Sequence, residues 1–135
     1  MSGVVVVAES GQGRYQQAVT VGEHSLIADE PASVGGADAG PAPFDFLMAA
    51  LGACTSMTLR MYAERKNLAL TRVSVSLMHE KVEIEGSLRD RINRTIMLEG
   101  ELTADQRQRL LEIANKCPIH RALGQPLLIA SALAN

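Results

Sequence analysis

Aromatic side chains are nearly missing from this 135-residue chain, which has two Tyr, two Phe and no Trp. Its hydrophobic 47% must therefore build the core from Ala, Val, Leu, Ile and Met, whose small side chains let neighbouring backbones approach closely. The same scarcity removes the stacking platform that single-stranded nucleic acid needs. Charge of one sign is missing too: 13 Lys and Arg stand against 15 Asp and Glu, with no basic run to form a phosphate-binding footprint. No nucleic-acid partner is expected. Long apolar runs are also absent, since no stretch approaches the roughly 18 residues that span a bilayer. The start, Met1–Glu9, has no basic segment, and its apolar run is too short for a signal peptide. No membrane partner is expected, and the expected compartment is the cytoplasm. The length predicts one domain over residues 1–135, able to bury about two-thirds of the surface its unfolded form exposes.

Cysteine is scarce as well, with two residues in contrasting settings. Cys54 lies inside Phe44–Ala63, a run that reads as a helix too apolar to have an exposed face over its first half. Cys117 stands in Asn115-Lys-Cys-Pro-Ile-His-Arg121, where one helix is predicted to stop and another to begin. In a reducing compartment a permanent disulfide is not expected, and two such thiols suit a redox pair. A structural disulfide and two inert core cysteines are the alternatives, since most buried cysteines are packing residues.

What surrounds these thiols follows from local pattern. Val4–Ala8 is a short β-branched run, and Tyr15–Val21 with Ser25–Asp29 flank Gly22-Glu23 as a hairpin. A Gly- and Pro-rich loop over 30–43 leads to the central helix, with Pro43 suited to its first turn. That loop reads equally as a linker or as a functional segment. The helix, from about Phe44 to Lys66, turns amphipathic after Cys54, with Arg60, Glu64, Arg65 and Lys66 reaching solvent. A helix with no polar face must be covered on all sides. One sheet covers one side, and the chain offers few other helices, so an obligate dimer is expected. Thr71–His79 alternates with Val73, Val75 and Leu77 on one face, Glu80–Asp90 reads as a charged connection, and Ile92–Leu102 alternates again. In that second strand Ile92, Arg94, Ile96 and Leu98 share one parity. Thr103-Ala-Asp-Gln106 is a capping box. The helix after it puts Leu110, Ala114 and Cys117 on one stripe, facing the core. Pro126–Ala130 reads as a last short strand.

A thiol acts as a nucleophile only as its thiolate, which needs local positive potential. Pro118 in a first helical position makes Cys117 an N-cap, and the free N–H groups there favour an anion. Lys116 and Arg121 are close in sequence. Cys54 has no such local help and needs a cation brought in by the fold, for which Arg14 in the Gly13-Arg-Tyr turn is a candidate. His24, His79 and His120 lie in different elements without ligand spacing, so no metal site is expected. Neither a Gly-x-Ser-x-Gly nor a P-loop signature occurs.

The segment Gly40-Pro-Ala-Pro-Phe-Asp-Phe-Leu-Met-Ala-Ala-Leu-Gly-Ala-Cys-Thr-Ser-Met-Thr-Leu-Arg60, together with Lys116-Cys-Pro-Ile-His-Arg121, resembles the OsmC/Ohr family of osmotically inducible and organic hydroperoxide resistance proteins. The match covers most of the chain in element order. The resemblance implies an α+β fold with strands packed around a long buried central helix, in an intertwined homodimer. It implies a peroxidatic role for Cys54 and a resolving role for Cys117. The Cys54 thiolate would cleave an organic hydroperoxide to an alcohol, leaving a sulfenic acid that condenses with Cys117 to a disulfide. No cofactor is bound in this cycle; an external dithiol such as dihydrolipoamide, or a low-molecular-weight thiol, is the reductant. The family's peroxidases also use an arginine, for which Arg14 is the candidate, and a glutamate ten residues before the cysteine. Here that position is Phe44; Asp45 follows, nine before the cysteine, where related short members often carry an acid, and the resemblance makes it a candidate catalytic residue in the glutamate's place. On a continuous helix Asp45 falls roughly opposite Cys54, at 100° per residue, and an acid in a first turn also suits the helix dipole. The departure at Phe44 favours the alternative function, a non-enzymatic dimeric module that binds a small apolar ligand or a partner protein with its thiols incidental. The presence of both cysteines in their family contexts favours the peroxidase.

Overall fold

Three strands, β1 (Val5–Glu9), β2 (Gln17–Val21) and β3 (His24–Ala28), open the chain as an antiparallel sheet in sequence order. The computed structural model describes residues 3–135; Met1 and Ser2 of the N-terminal run lie outside the described residues. The chain divides into two compact units, one up to Leu47 and one from Met48 onward. In the first, Gly22 takes a positive φ of 58° at the turn between β2 and β3, where the hairpin is expected. The Gly- and Pro-rich loop holds one 3₁₀ turn, Ala32–Val34, and is organised by a single carboxylate. Asp29 is buried and accepts the backbone N–H groups of Glu30 at 2.8 Å, Ala37 at 3.2 Å and Ala39 at 3.0 Å.

Those bonds, Ala39's foremost, hold the Asp29 carboxyl below its usual range. A carboxyl with a depressed folded value stabilises the fold while ionised. Its contribution is complete above the unfolded value, roughly pH 4, and is lost as pH falls through the folded one. Asp29→Asn is therefore expected to lower Tm at pH 7, with the gap to wild type narrowing at pH 3. An equal gap at both pH values in thermal melts would show that shape, not charge, holds the loop.

Helix α1 (Pro43–Arg65) begins at the proline, whose fixed φ suits the first turn. Within the second unit it buries Leu51, Gly52, Thr55, Leu59 and Ala63 as one stripe. Ala53, Met57 and Met61 on the other side are exposed, so the second unit covers a single face of this apolar helix. Gly52 allows a close approach, because a Cβ there would lie 2.9 Å from Leu77 Cδ1. Arg60 is half-buried instead of solvated, donating from Nη1 to the Leu70 carbonyl at 2.7 Å.

The stretch Glu80–Asp90, expected as a connection, is strand. β4 (Leu70–Ile84) and β5 (Ser87–Gly100) form one long antiparallel hairpin. Its turn is Glu85-Gly86, both at positive φ, the conformation that tight hairpins favour. Two of its opposite-charge pairs face one another across the ladder: Glu80 lies opposite Arg91, bonded at 2.9 Å, and Lys81 opposite Asp90, at 3.0 Å. Opposite charges facing one another stabilise a ladder, which is why a charged sequence persists as strand.

α2 (Ala104–Ala114) starts with the expected capping box between Thr103 and Gln106, and α3 (Pro118–Leu123) follows at once. Leu59 of α1 and Leu110, Ile113 and Ala114 of α2 form the core of this unit, with Val73, Ile96 and Leu98 of the hairpin packed against it. Pro126–Ala130, expected as a strand, belongs to no element. A strand needs a ladder partner, and among the described residues the two sheets provide none for it. Leu128 is left 99% exposed.

Candidate active site

Both cysteines are free thiols. Cys54 lies on α1 and is partly exposed. Cys117 is 0% exposed, at the end of the stripe formed by the equally buried Leu110 and Ala114. It is the N-cap of α3 with Pro118 in the first helical position, and its Sγ accepts the His120 N–H at 3.3 Å.

The side chain that meets Cys117 is Thr55, the residue after Cys54. Its Oγ1 stands 4.0 Å from Cys117 Sγ. It also lies 2.7 Å from the Leu51 carbonyl and 3.0 Å from Arg94 Nη1. A hydroxyl has one proton. The Leu51 carbonyl can only accept it and Arg94 can only donate, so the remaining lone pair of Thr55 is free to accept from the Cys117 S–H. Thr55 is thereby satisfied although 0% exposed.

Arg94 reaches this point because of strand parity. It lies opposite Leu77 on the inner face of the hairpin, in the same alternation as Ile92, Ile96 and Leu98. Its second arm, Nη2, donates to Asn115 Oδ1 at 2.8 Å, at the C-cap of α2. Burial, and secondarily the Arg94 charge, push the His120 imidazole below its usual range, which favours its neutral form beside the guanidinium.

Of the other residues singled out by sequence, Arg14 and Asp45 belong to the first unit. The Arg14 guanidinium stacks on Tyr15, 4.9 Å from the ring centroid. The Asp45 carboxylate accepts the Ala42 N–H at 2.9 Å, satisfying a donor at the start of α1. Arg94 and Thr55 carried sequence signals of a kind. An arginine in an otherwise apolar parity must find buried acceptors, and a threonine one position past a cysteine on a buried helix faces a different neighbour from that cysteine.

The family model for OsmC-like protein matches residues 35–131, which include both cysteines, Thr55, Arg94 and Asn115. The chain belongs to the OsmC family. An OsmC-like protein from Mycoplasma pneumoniae has a similar structure, with a TM-score of 0.75 at 15% identity over 92% of this chain and 88% of that one. So does an organic hydroperoxide resistance protein OsmC from Legionella pneumophila, with a TM-score of 0.70 at 19% identity over 91% and 89%. The organic hydroperoxide resistance protein OhrB of Bacillus subtilis matches with a TM-score of 0.64 at 20% identity, over 90% of each chain. No curated protein matches by sequence. At these identities the likeness shows the shared OsmC/Ohr fold: α+β, with two sheets and a long helix.

Proposed function

We propose that this OsmC-family protein reduces organic hydroperoxides through its two thiols. The observation that carries the reading is the packing of Cys117 against Thr55, the neighbour of Cys54, which brings the two cysteine-bearing segments to one point of α1. Named hydroperoxide resistance proteins among the structural relatives support it. The Cys54 thiolate attacks one peroxide oxygen and the O–O bond breaks. The alkoxide takes a proton to leave as alcohol, and the sulfur stays as sulfenic acid. The Cys117 thiolate then attacks that sulfur, forming the disulfide and expelling hydroxide, which leaves as water. A dithiol such as dihydrolipoamide restores both thiols by exchange. On this reading the protein works in the cytoplasm. Arg14 is the family candidate for activating the thiol. Asp45 is engaged at the helix start, which argues for a capping role over acid–base chemistry.

We also propose a homodimer. The open face of α1 with Met57 and Met61, the exposed valines of β1 and the unpaired Leu127–Ile129 segment are more apolar surface than a lone chain usually leaves in water.

A second reading, the non-enzymatic module binding a small apolar ligand, is favoured by a groove of about 390 Å³ along β5 and α2, lined by Ile96, Leu98, Ala104, Arg107, Gln108 and Leu111. A thiol count before and after one equivalent of cumene hydroperoxide decides between them. Loss of both thiols per chain, recovered by dihydrolipoamide, is expected for the peroxidase. An unchanged count sinks it and leaves the binding module.

A further inference from the structure

The mechanism above gives no part to Arg94, yet its guanidinium touches the sequence neighbours of both cysteines. Thr55 follows Cys54 in α1, and Asn115 stands two residues before Cys117 at the junction of α2 and α3. We propose that Arg94 is a positioning residue that holds these two thiol-bearing segments in register for disulfide closure.

Nη1 reaches Thr55 Oγ1 at 3.0 Å and Nη2 reaches Asn115 Oδ1 at 2.8 Å. The two nitrogens belong to one planar group with a fixed fork, so the distances cannot vary independently. Sliding α1 against the α2–α3 junction breaks one of the bonds. Cys117 is fully buried, and the α1 side chain that its sulfur meets is Thr55. Cys54 is the adjacent position, about 100° round the helix. Closure needs a limited rotation of the Cys54 segment toward a sulfur that must not drift away. The effective concentration of one thiol at the other is set by that register, and small displacements are costly in rate. Arg94 stands in an otherwise apolar parity of β5, opposite Leu77, and its guanidinium is met by the Thr55 and Asn115 side chains.

Glutathione disulfide tests this without peroxide. Cys54 attacks it to give a mixed disulfide and one glutathione; Cys117 then displaces the second glutathione and closes the protein disulfide. Acid quenching and intact mass separate the two steps on the full-length protein, and thermal melts record that each variant is folded. Arg94→Met is expected to slow closure at least tenfold while changing the first step less than threefold. Thr55→Val should reproduce that pattern and Thr55→Ser, which keeps the hydroxyl, should not. Arg94→Lys should close slowly too, because one ammonium cannot serve both acceptors in a fixed fork. If Arg94→Met does not fold, Asn115→Ala removes one arm at an exposed position and should slow closure several-fold.

Equal closure rates in Arg94→Met and wild type would overturn the proposal. So would slowing of both steps alike, full rescue by Arg94→Lys, or no closure in wild type. The inference rests on the two-thiol reading for its place in peroxide reduction. Cumene hydroperoxide given to the same proteins tests that reading separately. If peroxide is not consumed but the glutathione pattern holds, the peroxidase falls and the role of Arg94 stands.

Discussion

Cys54→Ser is expected to abolish peroxide consumption, down to the background rate even in a single turnover. Cys117→Ser is expected to keep one turnover and to accumulate a sulfenic acid on Cys54 that dimedone traps. Electrostatics and access point to different thiols as the one that meets the peroxide. The sequence-local electrostatics favour Cys117, which caps a helix beside Lys116 and Arg121. Access favours Cys54, because it is partly exposed whereas Cys117 is 0% exposed and packed on Thr55. Access decides, since a nucleophile closed off from solvent cannot meet a substrate arriving from it, however readily it ionises. The buried sulfur suits a partner delivered by the protein itself, which is what a sulfenic acid on α1 would be. If Cys117→Ser loses the first turnover and Cys54→Ser keeps it, the roles are reversed. If neither variant differs from wild type in rapid-mixing peroxide assays, thiol peroxidase chemistry is not what this chain does.

The parts of this site that could be read from the sequence were those set by local rules. The Thr103–Gln106 capping box, Cys117 as an N-cap ahead of Pro118, and the Leu110–Ala114–Cys117 stripe all depend on residues within two turns of one another, and all are found in the structure. The parts that could not be read depend on what a residue meets across the fold. Glu80–Asp90 reads as a connection from its charge, but in register Glu80 meets Arg91 and Lys81 meets Asp90 across the ladder. Pro126–Ala130 has strand-like residues, yet a strand exists only where a neighbour takes its hydrogen bonds, and among the described residues the two sheets offer it none. Arg94 was visible as an odd member of an apolar alternation. That Thr55 and Asn115 are the groups receiving its charge follows only from the packing of β5 against α1 and the end of α2.

Two substitutions two residues apart on α1 separate what one chain needs from what the proposed dimer needs. Leu59 is 0% exposed at the centre of the second unit's core, against Leu110 and Ala114. Leu59→Ala removes buried methyl groups and leaves a cavity, which costs about 2–5 kcal/mol. That is a large part of a stability of roughly 5–15 kcal/mol, so Tm should fall by roughly 10 °C or more. This loss is expected whatever the oligomeric state. Met57 points the other way, 61% exposed and in line with Met61 at 62%. On a free-standing chain Met57→Glu would be a surface change worth within about 0.5 kcal/mol. In a dimer joined along this face, it would bury an unpaired carboxylate against the partner helix, at a cost of several kcal/mol. Where the fold depends on the partner, dissociation and unfolding are one event. Met57→Glu is therefore expected to lower Tm at least as much as Leu59→Ala, and to make Tm rise with protein concentration more steeply than in wild type. Sedimentation at low micromolar concentration should give twice the chain mass for wild type and no folded dimer for Met57→Glu. A Met57→Glu protein with wild-type Tm and wild-type mass would show that no second copy covers this face, and that α1 leaves its methionines to water.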